Sequence, residues 1–404
     1  MKVRISISAA KGEVMAPGSK SMAHRLLISA GMAEGVSVIS GVTPSEDVLA
    51  TVDCLNALGV NIHASEGVYT VEGTNMKKTA PRGSLYCRES GSTLRFMIPV
   101  ATLSGARVCF SGAKKLLERP LSVYEEIYDG KNMLFKRLSD ILYVDGPLEA
   151  GEYTVRGDVS SQFITGLIFA LPVLDGDSIL KIVPPFESRS YIDLTLAAVK
   201  KFGIFAEFTD EYTIRIPGNQ SYRNCSSRVE GDYSGAAFLE ALNYVGGDVT
   251  VLGLDPDSAQ GDRVYLEYFP RLKKEKMPLI NVEDCPDLAP ILMALAAYHN
   301  GAVFEGTRRL VLKECDRADA MKCELAKLGA DITVEENRIT VRPAPLHAPS
   351  SPIDSHNDHR IVMALAILLT EFGGEIIGAE AVAKSYPDFF GDLERLGVEV
   401  KKYD

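Results

Sequence analysis

Basic residues and hydroxyl groups recur in short polar clusters along this chain, and each cluster runs directly into an apolar stretch of helix length. The six clusters begin at Pro17, Glu89, Gly157, Gly231, Cys285 and Asn357. Because the start of a helix exposes unpaired N–H groups and the positive end of its dipole, it favours bound anions. The chemistry that these residues suggest is the binding of phosphate or carboxylate groups.

The first cluster, Gly18-Ser19-Lys20-Ser21, has the composition of a phosphate-binding P-loop but not its spacing. Backbone N–H groups, a hydroxyl group and an ammonium group still converge there, and Arg25 follows about one helical turn later. A capped helix with a solvated lysine is the simpler alternative.

The third cluster places two hydroxyl groups and an amide at a helix start, in Ser160-Ser161-Gln162. Capping a helix requires only one such side chain. We therefore expect the other two to be available to a ligand.

Carboxylates lie beside cations in two later segments, around Asp287 and in Lys313-Glu314-Cys315-Asp316-Arg317. The spacing of Lys313 and Arg317 would place them on one helical face. A carboxylate among cations stays ionised and can accept a hydroxyl proton. The alternatives are a surface ion-pair network for the segment and a simple helix cap for Asp287.

Two further cations lie where a polar loop meets an apolar helix, Arg360 and Lys384. A cation at a helix start opposes the dipole unless an anion binds there. Both residues therefore belong to the predicted anion-binding set.

The composition excludes several classes of protein. The chain has 404 residues, 43 Lys and Arg against 54 Asp and Glu, and a net charge of −11. This charge argues against a nucleic-acid partner. The cysteines are seven, an odd number, and no CxxC pair or paired His spacing occurs, so we expect neither a disulfide framework nor a metal site.

The N-terminus alternates like a strand, and the longest apolar run is too short to cross a bilayer. We expect a cytoplasmic protein without a membrane partner.

The elements around the clusters also repeat, at a spacing of roughly 70 residues with one interval nearer roughly 55. A helix, a strand, a second helix ending at a glycine and two short strands follow one another, which indicates an α/β fold. The short interval, from Ser234 to Asp287, predicts that the fifth unit lacks a strand or two.

Six units predict two domains of three units each. We place the first domain at residues 19–228 and the second at 1–18 plus 229–404, with hinge crossovers near residues 18 and 229.

Taken together, these segments resemble the enolpyruvyl transferases, in the branch that acts on shikimate 3-phosphate. The matching segments are PGSKSMAHR (17–25), ESGSTLRF (89–96), LLERPL (116–121), GDVSSQF (157–163), ESRSYIDLT (187–195), CPDLAPIL (285–292), KECDRADAM (313–321), NDHRIVMA (357–364) and KSYPDFF (384–390).

The resemblance implies two domains, each of three βαβαββ units in an inside-out α/β barrel, and a monomeric enzyme without a cofactor. It implies transfer of the enolpyruvyl group of phosphoenolpyruvate to the 5-hydroxyl group of shikimate 3-phosphate, with release of phosphate. This reaction belongs to the shikimate pathway of aromatic amino-acid biosynthesis.

Motif positions imply the residue roles. The catalytic candidates are Asp287, the base for the hydroxyl group, Glu314, the partner in proton transfer at carbon, and Lys20 and Lys384. Shikimate 3-phosphate is expected to contact Lys20, Ser21, Arg25, Ser160, Ser161, Gln162, Ser188, Asp287 and Lys313. Phosphoenolpyruvate is expected to contact Lys20, Gly91, Arg119, Gln162, Arg317, Arg360 and Lys384. Which of Lys20, Glu314 and Lys384 moves each proton stays open.

Some positions depart from the family pattern. Glu89 replaces a common asparagine. Arg309 replaces a small amide, so the substrate contact of that amide is not carried over to Arg309.

Two alternative functions are the branch of the family that acts on UDP-N-acetylglucosamine and a non-catalytic anion-binding protein on the same scaffold. The UDP-N-acetylglucosamine branch usually carries Cys or Asp in the loop that corresponds to residues 111–120, and this chain has neither residue there. The resemblance also implies inhibition by glyphosate at the phosphoenolpyruvate site, near Gly91.

Overall fold

The computed structural model describes residues 1–403 and divides into two units. The continuous unit is Gly18–Glu230, and the discontinuous unit combines Met1–Pro17 with the chain from Gly231 onward. The hinges expected near residues 18 and 229 stay a prediction.

The helices are α1 Lys20–Gly31, α2 Glu46–Ala57, α3 Gly91–Ala101, α4 Lys114–Glu118, α5 Ser122–Gly130, α6 Ser161–Ala170, α7 Arg189–Lys201, α8 Tyr233–Ala241, α9 Tyr265–Lys274, α10 Ala289–Tyr298, α11 Arg317–Ala326, α12 His359–Phe372 and α13 Phe389–Arg395. Short 3-10 helices cover Met76–Lys78, Leu171–Val173, Leu242–Tyr244, Gly261–Val264, Arg308–Leu312 and Ala379–Lys384.

The strands are β1 Lys2–Ile5, β2 Lys11–Met15, β3 Gly35–Ser40, β4 Asn61–Ser65, β5 Val68–Gly73, β6 Leu85–Tyr86, β7 Val108–Ser111, β8 Phe135–Arg137, β9 Ile141–Val144, β10 Glu152–Arg156, β11 Ser178–Val183, β12 Glu207–Asp210, β13 Thr213–Ile216, β14 Ser226–Arg228, β15 Asp248–Leu252, β16 Leu279–Asn281, β17 Ala302–Glu305, β18 Asp331–Glu335, β19 Arg338–Arg342, β20 Ile353–Asp354, β21 Gly374–Ile377 and β22 Val400–Tyr403.

Each unit carries its strands in separate small sheets with a common order. The continuous unit has sheets β14-β3-β5-β4, β6-β7-β9-β8 and β10-β11-β13-β12. The discontinuous unit has sheets β15-β2, β16-β17-β19-β18 and β20-β21-β1-β22. The first pair in each order is parallel, and the remaining pairs are antiparallel. The repeat inferred from the sequence is thus visible in the strand pairing.

The helices that follow the polar clusters form the core of each unit. In the discontinuous unit every residue from Ala289 to Ala297 in α10 and from His359 to Thr370 in α12 is buried. In the continuous unit α6 is buried from Phe163 to Ala170. A helix that is apolar on all sides needs other elements around it, which explains why sheets and second helices surround these segments.

Glycines end the second helices as the sequence predicts. Gly59, Gly203, Gly329 and Gly397 have φ values of +90°, +78°, +94° and +88°. Such left-handed backbone costs glycine little because it lacks a Cβ atom.

The shortened unit is the fourth, which begins at α8, and not the fifth. Its sheet contains only β2 and β15. The chain passes from β15 through α9 directly to β16 of the next sheet. The short interval in the sequence therefore reflects a missing pair of antiparallel strands.

Across residues 1–403 no helix has the length and apolarity needed to cross a membrane. Within the same residues no group of three or more His, Cys, Asp or Glu side chains is arranged to hold a metal ion. All seven cysteines are free thiols.

Candidate active site

Side chains cap five of the six predicted helix starts. Backbone N–H groups of the first turn donate to Ser19, Ser90, Ser160, Asp232 and Asp358. No side chain caps α10. The alternative in which Asp287 serves only as a cap is therefore wrong, and its carboxylate has other partners.

Lys20, the first residue of α1, forms an ion pair within the continuous unit. Its Nζ lies 2.8 Å from Asp47 Oδ2 on α2, and both side chains are largely shielded from solvent. Asp47 was not predicted as a site residue. The pair places a carboxylate where it can exchange a proton with the ammonium group of Lys20.

Arg25 is a buried cation held by neutral oxygen atoms. Its guanidinium group donates to Ser21 O at 2.7 Å, Tyr191 O at 3.0 Å and Thr195 Oγ1 at 2.9 Å. Burial lowers the pKa of Arg25 to about 10. Tyr191 and Thr195 lie on α7, which directly follows Ser188. Ser188 is buried and has a left-handed φ of +59°. The structure thus joins Ser21, Arg25 and Ser188 through α7.

Ser160 and Gln162 both form hydrogen bonds within the protein, and the availability of Gln162 to a ligand stays a prediction. Ser160 Oγ accepts from Gln162 N at 3.3 Å. Gln162 Oε1 accepts from Arg95 at 2.7 Å, and Gln162 Nε2 donates to Ser92 at 2.9 Å. Ser161 is buried as the first residue of α6.

Gly91 lies in a crowded group of polar side chains at the start of α3. A Cβ atom on Gly91 would lie 2.9 Å from Arg119 Nη1, 3.0 Å from Arg95 Nη1 and 3.7 Å from Gln162 Oε1. Arg95 also donates to Pro120 O at 3.1 Å. The structure therefore brings the predicted Gly91, Arg119 and Gln162 together and adds Arg95.

Asp287 is surrounded by three cations in the discontinuous unit. Its Oδ1 lies 2.8 Å from Arg317 Nη1 and 3.3 Å from Lys313 Nζ, and its Oδ2 lies 2.9 Å from Arg360 Nη2. Burial alone would raise the pKa of Asp287, but Arg360, Lys313 and Arg317 hold this pKa well below its usual range. Asp287 is therefore ionised at neutral pH.

Arg317 binds three carboxylates although its side chain is only 2% exposed. The partners are Asp287 at 2.8 Å, Glu314 at 2.7 Å and Asp358 at 2.7 Å. Burial acts to lower the pKa of Arg317, but the carboxylates raise it well above its usual value. This arrangement fixes Glu314 beside Asp287.

Lys313 does not share a helical face with Arg317, contrary to the expectation from their spacing. A 3-10 helix ends at Leu312, and α11 begins only at Arg317, where Asp316 caps it. Both cations nevertheless reach Asp287. Burial lowers the pKa of Lys313, Asp287 opposes this effect, and Arg317 and Arg309 reinforce it.

Arg360 contacts two elements besides its own helix. It donates to Ser234 Oγ at 2.6 Å, at the start of α8, and to the backbone oxygen of Asp287 at 3.1 Å. Its own N–H group donates to Asp358 at 2.8 Å. The starts of α8, α10 and α12 thus meet at one guanidinium group.

Lys384 lies at the end of a 3-10 helix, and its Nζ donates to Asn357 O at 2.7 Å. Asn357 directly precedes Asp358, the residue that caps α12. Lys384 is therefore tied to the same helix start as Arg360.

Asp262 is a buried carboxyl group that the sequence analysis did not identify. It lies in the 3-10 helix Gly261–Val264, and its Oδ1 has no hydrogen-bond partner. Burial and the nearby Asp287 raise the pKa of Asp262 to about 7, against the opposing effects of Arg360 and Ser234.

Arg309, noted as a departure from the family pattern, is buried and donates to Glu283 O at 2.8 Å. Its charge contributes to the lowered pKa of Lys313. Arg309 therefore adds a cation close to Lys313.

The site residues that sequence reasoning missed carry ordinary local signals. Asp47 follows a serine cap and looks like a typical first-turn acid. Ser234 and Asp262 gain their significance only from partners distant in the sequence. A search for acidic residues near every helix start would have found Asp47.

Comparison with known proteins places these features in a family context. A family model described as EPSP synthase (3-phosphoshikimate 1-carboxyvinyltransferase) matches residues 5–393. A protein from Clostridium kluyveri named 3-phosphoshikimate 1-carboxyvinyltransferase is 38% identical over 421 residues, and the alignment covers 99% of this chain and 98% of that protein.

Solved structures share the fold. An EPSP synthase from Acinetobacter baumannii matches with a TM-score of 0.81 at 24% identity, over 99% of this chain and 100% of the other. The enolpyruvyl transferase NikO from Streptomyces tendae matches with a TM-score of 0.80 at 15% identity, over 99% and 98%. The predicted enolpyruvyl transferase fold is confirmed.

Proposed function

This chain belongs to the EPSP synthase (3-phosphoshikimate 1-carboxyvinyltransferase) family, and from that premise we propose which of its residues bind and convert the substrates. The enzyme transfers the enolpyruvyl group of phosphoenolpyruvate to the 5-hydroxyl group of shikimate 3-phosphate and releases phosphate, in the shikimate pathway. The observation that carries this conclusion is the family match over residues 5–393.

The proposed base for the 5-hydroxyl group is Asp287. Its three cationic neighbours keep it ionised and therefore able to accept a hydrogen bond from the hydroxyl group. When anionic substrates neutralise those cations, the pKa of Asp287 rises. The carboxylate then becomes a stronger base at the moment when the hydroxyl group must lose its proton.

Proton transfer at the methylene carbon of phosphoenolpyruvate is assigned to Glu314, with Lys20 and Lys384 as the groups that exchange protons at the phosphate or carboxylate. Glu314 is held by Arg317 at 2.7 Å, next to Asp287. Lys20 has Asp47 as a proton partner at 2.8 Å. These contacts support a role for each group without assigning each proton to one of them.

Shikimate 3-phosphate is proposed to bind hydroxyl groups, cations, one amide and one carboxylate. This set consists of Lys20, Ser21, Arg25, Ser160, Ser161, Gln162, Ser188, Asp287 and Lys313. The burial of Arg25 among neutral acceptors supports the assignment, because such a cation gains most from a phosphate.

Phosphoenolpyruvate is proposed to bind Lys20, Gly91, Arg119, Gln162, Arg317, Arg360 and Lys384. The position of Arg119 supports this assignment, because a Cβ atom on Gly91 would lie only 2.9 Å from Arg119 Nη1 and would displace the guanidinium group. Fixed cations around the transferred group stabilise the charge that develops in the transition state.

The proposal includes a monomer that acts in the cytoplasm without a metal or organic cofactor. Seven free thiols are consistent with a reducing compartment. The hinges near residues 18 and 229 remain part of this proposal.

The first test measures phosphate release from phosphoenolpyruvate with either shikimate 3-phosphate or UDP-N-acetylglucosamine as the acceptor. We expect release with shikimate 3-phosphate alone. Release with only the UDP-sugar, or with neither acceptor, would contradict the assigned reaction.

A second test replaces the proposed base. Asp287→Asn should lower kcat by about 10²- to 10⁴-fold, the usual contribution of acid–base catalysis. Binding of phosphoenolpyruvate, measured by calorimetry, should persist because removal of an anion leaves Arg317 and Arg360 more positive. Asp331→Asn, on the exposed start of β18, is the matched control. A kcat within threefold of the parent value would exclude Asp287 as the base.

A further inference from the structure

The turn Asp354–Asp358, which leads from β20 into α12, adopts an uncommon backbone. Two consecutive residues, His356 and Asn357, have left-handed φ values of +49° and +56°. This region costs L residues more than glycine because the Cβ atom approaches the following carbonyl oxygen, although Asn and His adopt it more often than most residues. Contacts around the turn must therefore stabilise it.

Part of that stabilisation comes from within the turn. Ser355 accepts from Asn357 N at 3.1 Å through its hydroxyl group and from Asp358 N at 2.9 Å through its backbone oxygen. Asp354 Oδ1 accepts from His356 N at 2.7 Å. These bonds define the local shape but do not connect the turn to the rest of the unit.

Glu324 on α11 supplies one such connection, and Ser355 N supplies another by donating to Ile377 O of β21 at 3.0 Å. The Glu324 carboxylate is almost fully buried and accepts from Asp354 N at 2.8 Å, which fixes the beginning of the turn. The same carboxylate lies 3.0 Å from His356 Nε2, which must be the donor because a carboxylate only accepts. Lys327 Nζ, at 2.6 Å, completes the surroundings of Glu324.

The end of the turn, Asn357 and Asp358, contacts residues that the proposed function assigns to phosphoenolpyruvate. Asn357 O accepts from Lys384 Nζ at 2.7 Å. The next residue, Asp358, binds Arg317 Nε at 2.7 Å and caps α12 at Arg360 N at 2.8 Å. A small movement of the turn would therefore displace three cations together.

We propose that Glu324 and His356 are positioning residues of the phosphoenolpyruvate site, which hold the strained turn Asp354–Asp358 so that Lys384, Arg317 and Arg360 keep their places. Neither residue touches the atoms that react. The inference rests on the proposed function, because that function gives the three cations their common ligand.

The test compares His356→Ala with His356→Gln, which retains a donor for Glu324, and with His347→Ala as a control. His347 is an exposed histidine of the same unit that lies 2.8 Å from the backbone oxygen of Ala348. His356→Ala should raise the KM for phosphoenolpyruvate about tenfold, since small displacements of binding groups are costly. The KM for shikimate 3-phosphate should stay within about twofold. His356→Gln should recover most of the loss, and His347→Ala should change nothing.

Glu324→Gln is the stronger variant, and its effect on the KM for phosphoenolpyruvate should exceed that of His356→Ala. If this variant does not fold, the two His356 variants decide the inference. An unchanged KM in His356→Ala, or an equal rise in both KM values, would overturn it.

Hydrogen exchange separates this inference from the proposed function. In His356→Ala the amides of residues 356–358 should exchange at least about tenfold faster than in the parent protein. A parent protein without turnover would contradict the proposed function. The exchange result would then decide the positioning role alone: equal rates would overturn it, and faster rates confined to the turn would support it.

Discussion

Asp287 and Asp262 are two shielded carboxyl groups whose surroundings move their pKa values in opposite directions. Asp287 contacts Arg317, Arg360 and Lys313, and its pKa is low. Asp262 lacks a hydrogen-bond partner for Oδ1, and burial together with the charge of Asp287 raises its pKa to about 7. The protein thus keeps one carboxyl group ionised at neutral pH while the other is poised to hold a proton.

Replacing Asp262 should change how stability depends on pH. The pKa of Asp262 is about 7 in the folded protein, against an ordinary value of 3.8. The folded state therefore binds this proton more tightly than the unfolded chain does. The resulting stability is fully present below about pH 4, declines as the pH rises and is lost above about pH 7.

In Asp262→Asn the pH-dependent decline of the unfolding free energy that Asp262 causes should disappear. Each tenfold difference in proton affinity is worth about 1.4 kcal/mol, so the decline between pH 5 and pH 8 amounts to roughly 3 kcal/mol. Urea unfolding of parent and variant at pH 5 and pH 8 measures it. Equal changes of the unfolding free energy with pH in both proteins would show that Asp262 is not the group responsible.

Gly91→Ala tests the crowded group at the start of α3. The new methyl group would lie 2.9 Å from Arg119 Nη1 and 3.0 Å from Arg95 Nη1, so both guanidinium groups must move. Glyphosate, the inhibitor that the family resemblance implies, should then bind about 10- to 200-fold more weakly, the usual range for one methyl group in a tight site. Inhibition assays at fixed phosphoenolpyruvate concentration measure this change. A parent enzyme that is already insensitive would exclude Gly91 as the determinant and direct attention to Glu89.

At the scale of elements, the helix starts are the part of the fold that the sequence predicts best. A polar cluster followed by an apolar stretch identifies α1, α3, α6, α8, α10 and α12 correctly. The pattern does not reveal which polar side chain caps the helix. Ser160 caps α6, whereas Asp287 does not cap α10. That choice depends on backbone geometry within a few residues, and a list of residue types does not contain it.

Contacts between elements explain the remaining errors. Lys313 and Arg317 were expected on one helix, but the cap at Asp316 starts α11 only at Arg317. Asp262 was missed because its partners lie on α8 and α12, far away in the sequence. Motif matching assigned candidate roles to single residues, and only the packing of helix starts showed which residues form one electrostatic group.

The double use of Ser160, as a helix cap and as a proposed ligand of shikimate 3-phosphate, can be separated by mutation. Ser160→Ala should lower the free energy of unfolding by about 1 kcal/mol through the lost cap. It should also raise the KM for shikimate 3-phosphate. Asn75→Ala, which removes the cap of the 3-10 helix Met76–Lys78, should change stability alone. Urea unfolding and steady-state kinetics measure both effects, and an unchanged KM in Ser160→Ala would remove Ser160 from the substrate set.

At the scale of the whole molecule, the two units differ in whether all the strands of their sheets come from one continuous segment of the chain. Every sheet of the continuous unit is formed from strands between residues 18 and 230. Within residues 1–403, the discontinuous unit takes β2 as the only partner of β15, and it takes β1 as the strand between β21 and β22, both from Met1–Pro17.

A fragment of residues 18–230 should therefore fold alone, whereas a fragment beginning at residue 231 should not. The first retains its three sheets and its buried helices, and the second loses a whole strand pair and the link between two strands. Circular dichroism with urea titration tests both fragments. A gradual transition for 18–230, or a cooperative one for the fragment from 231, would contradict the expectation.

The insertion of β1 between β21 and β22 also sets an order of events during synthesis. Strand β1 pairs along its length with β21 and β22, which are synthesised long after it, so it cannot form these pairs until both strands have emerged. The continuous unit can meanwhile complete its core, because domains tend to fold as they leave the ribosome. Strand β1 therefore lacks these two partners while the residues between them are synthesised, and the discontinuous unit closes only when β21 and β22 are present.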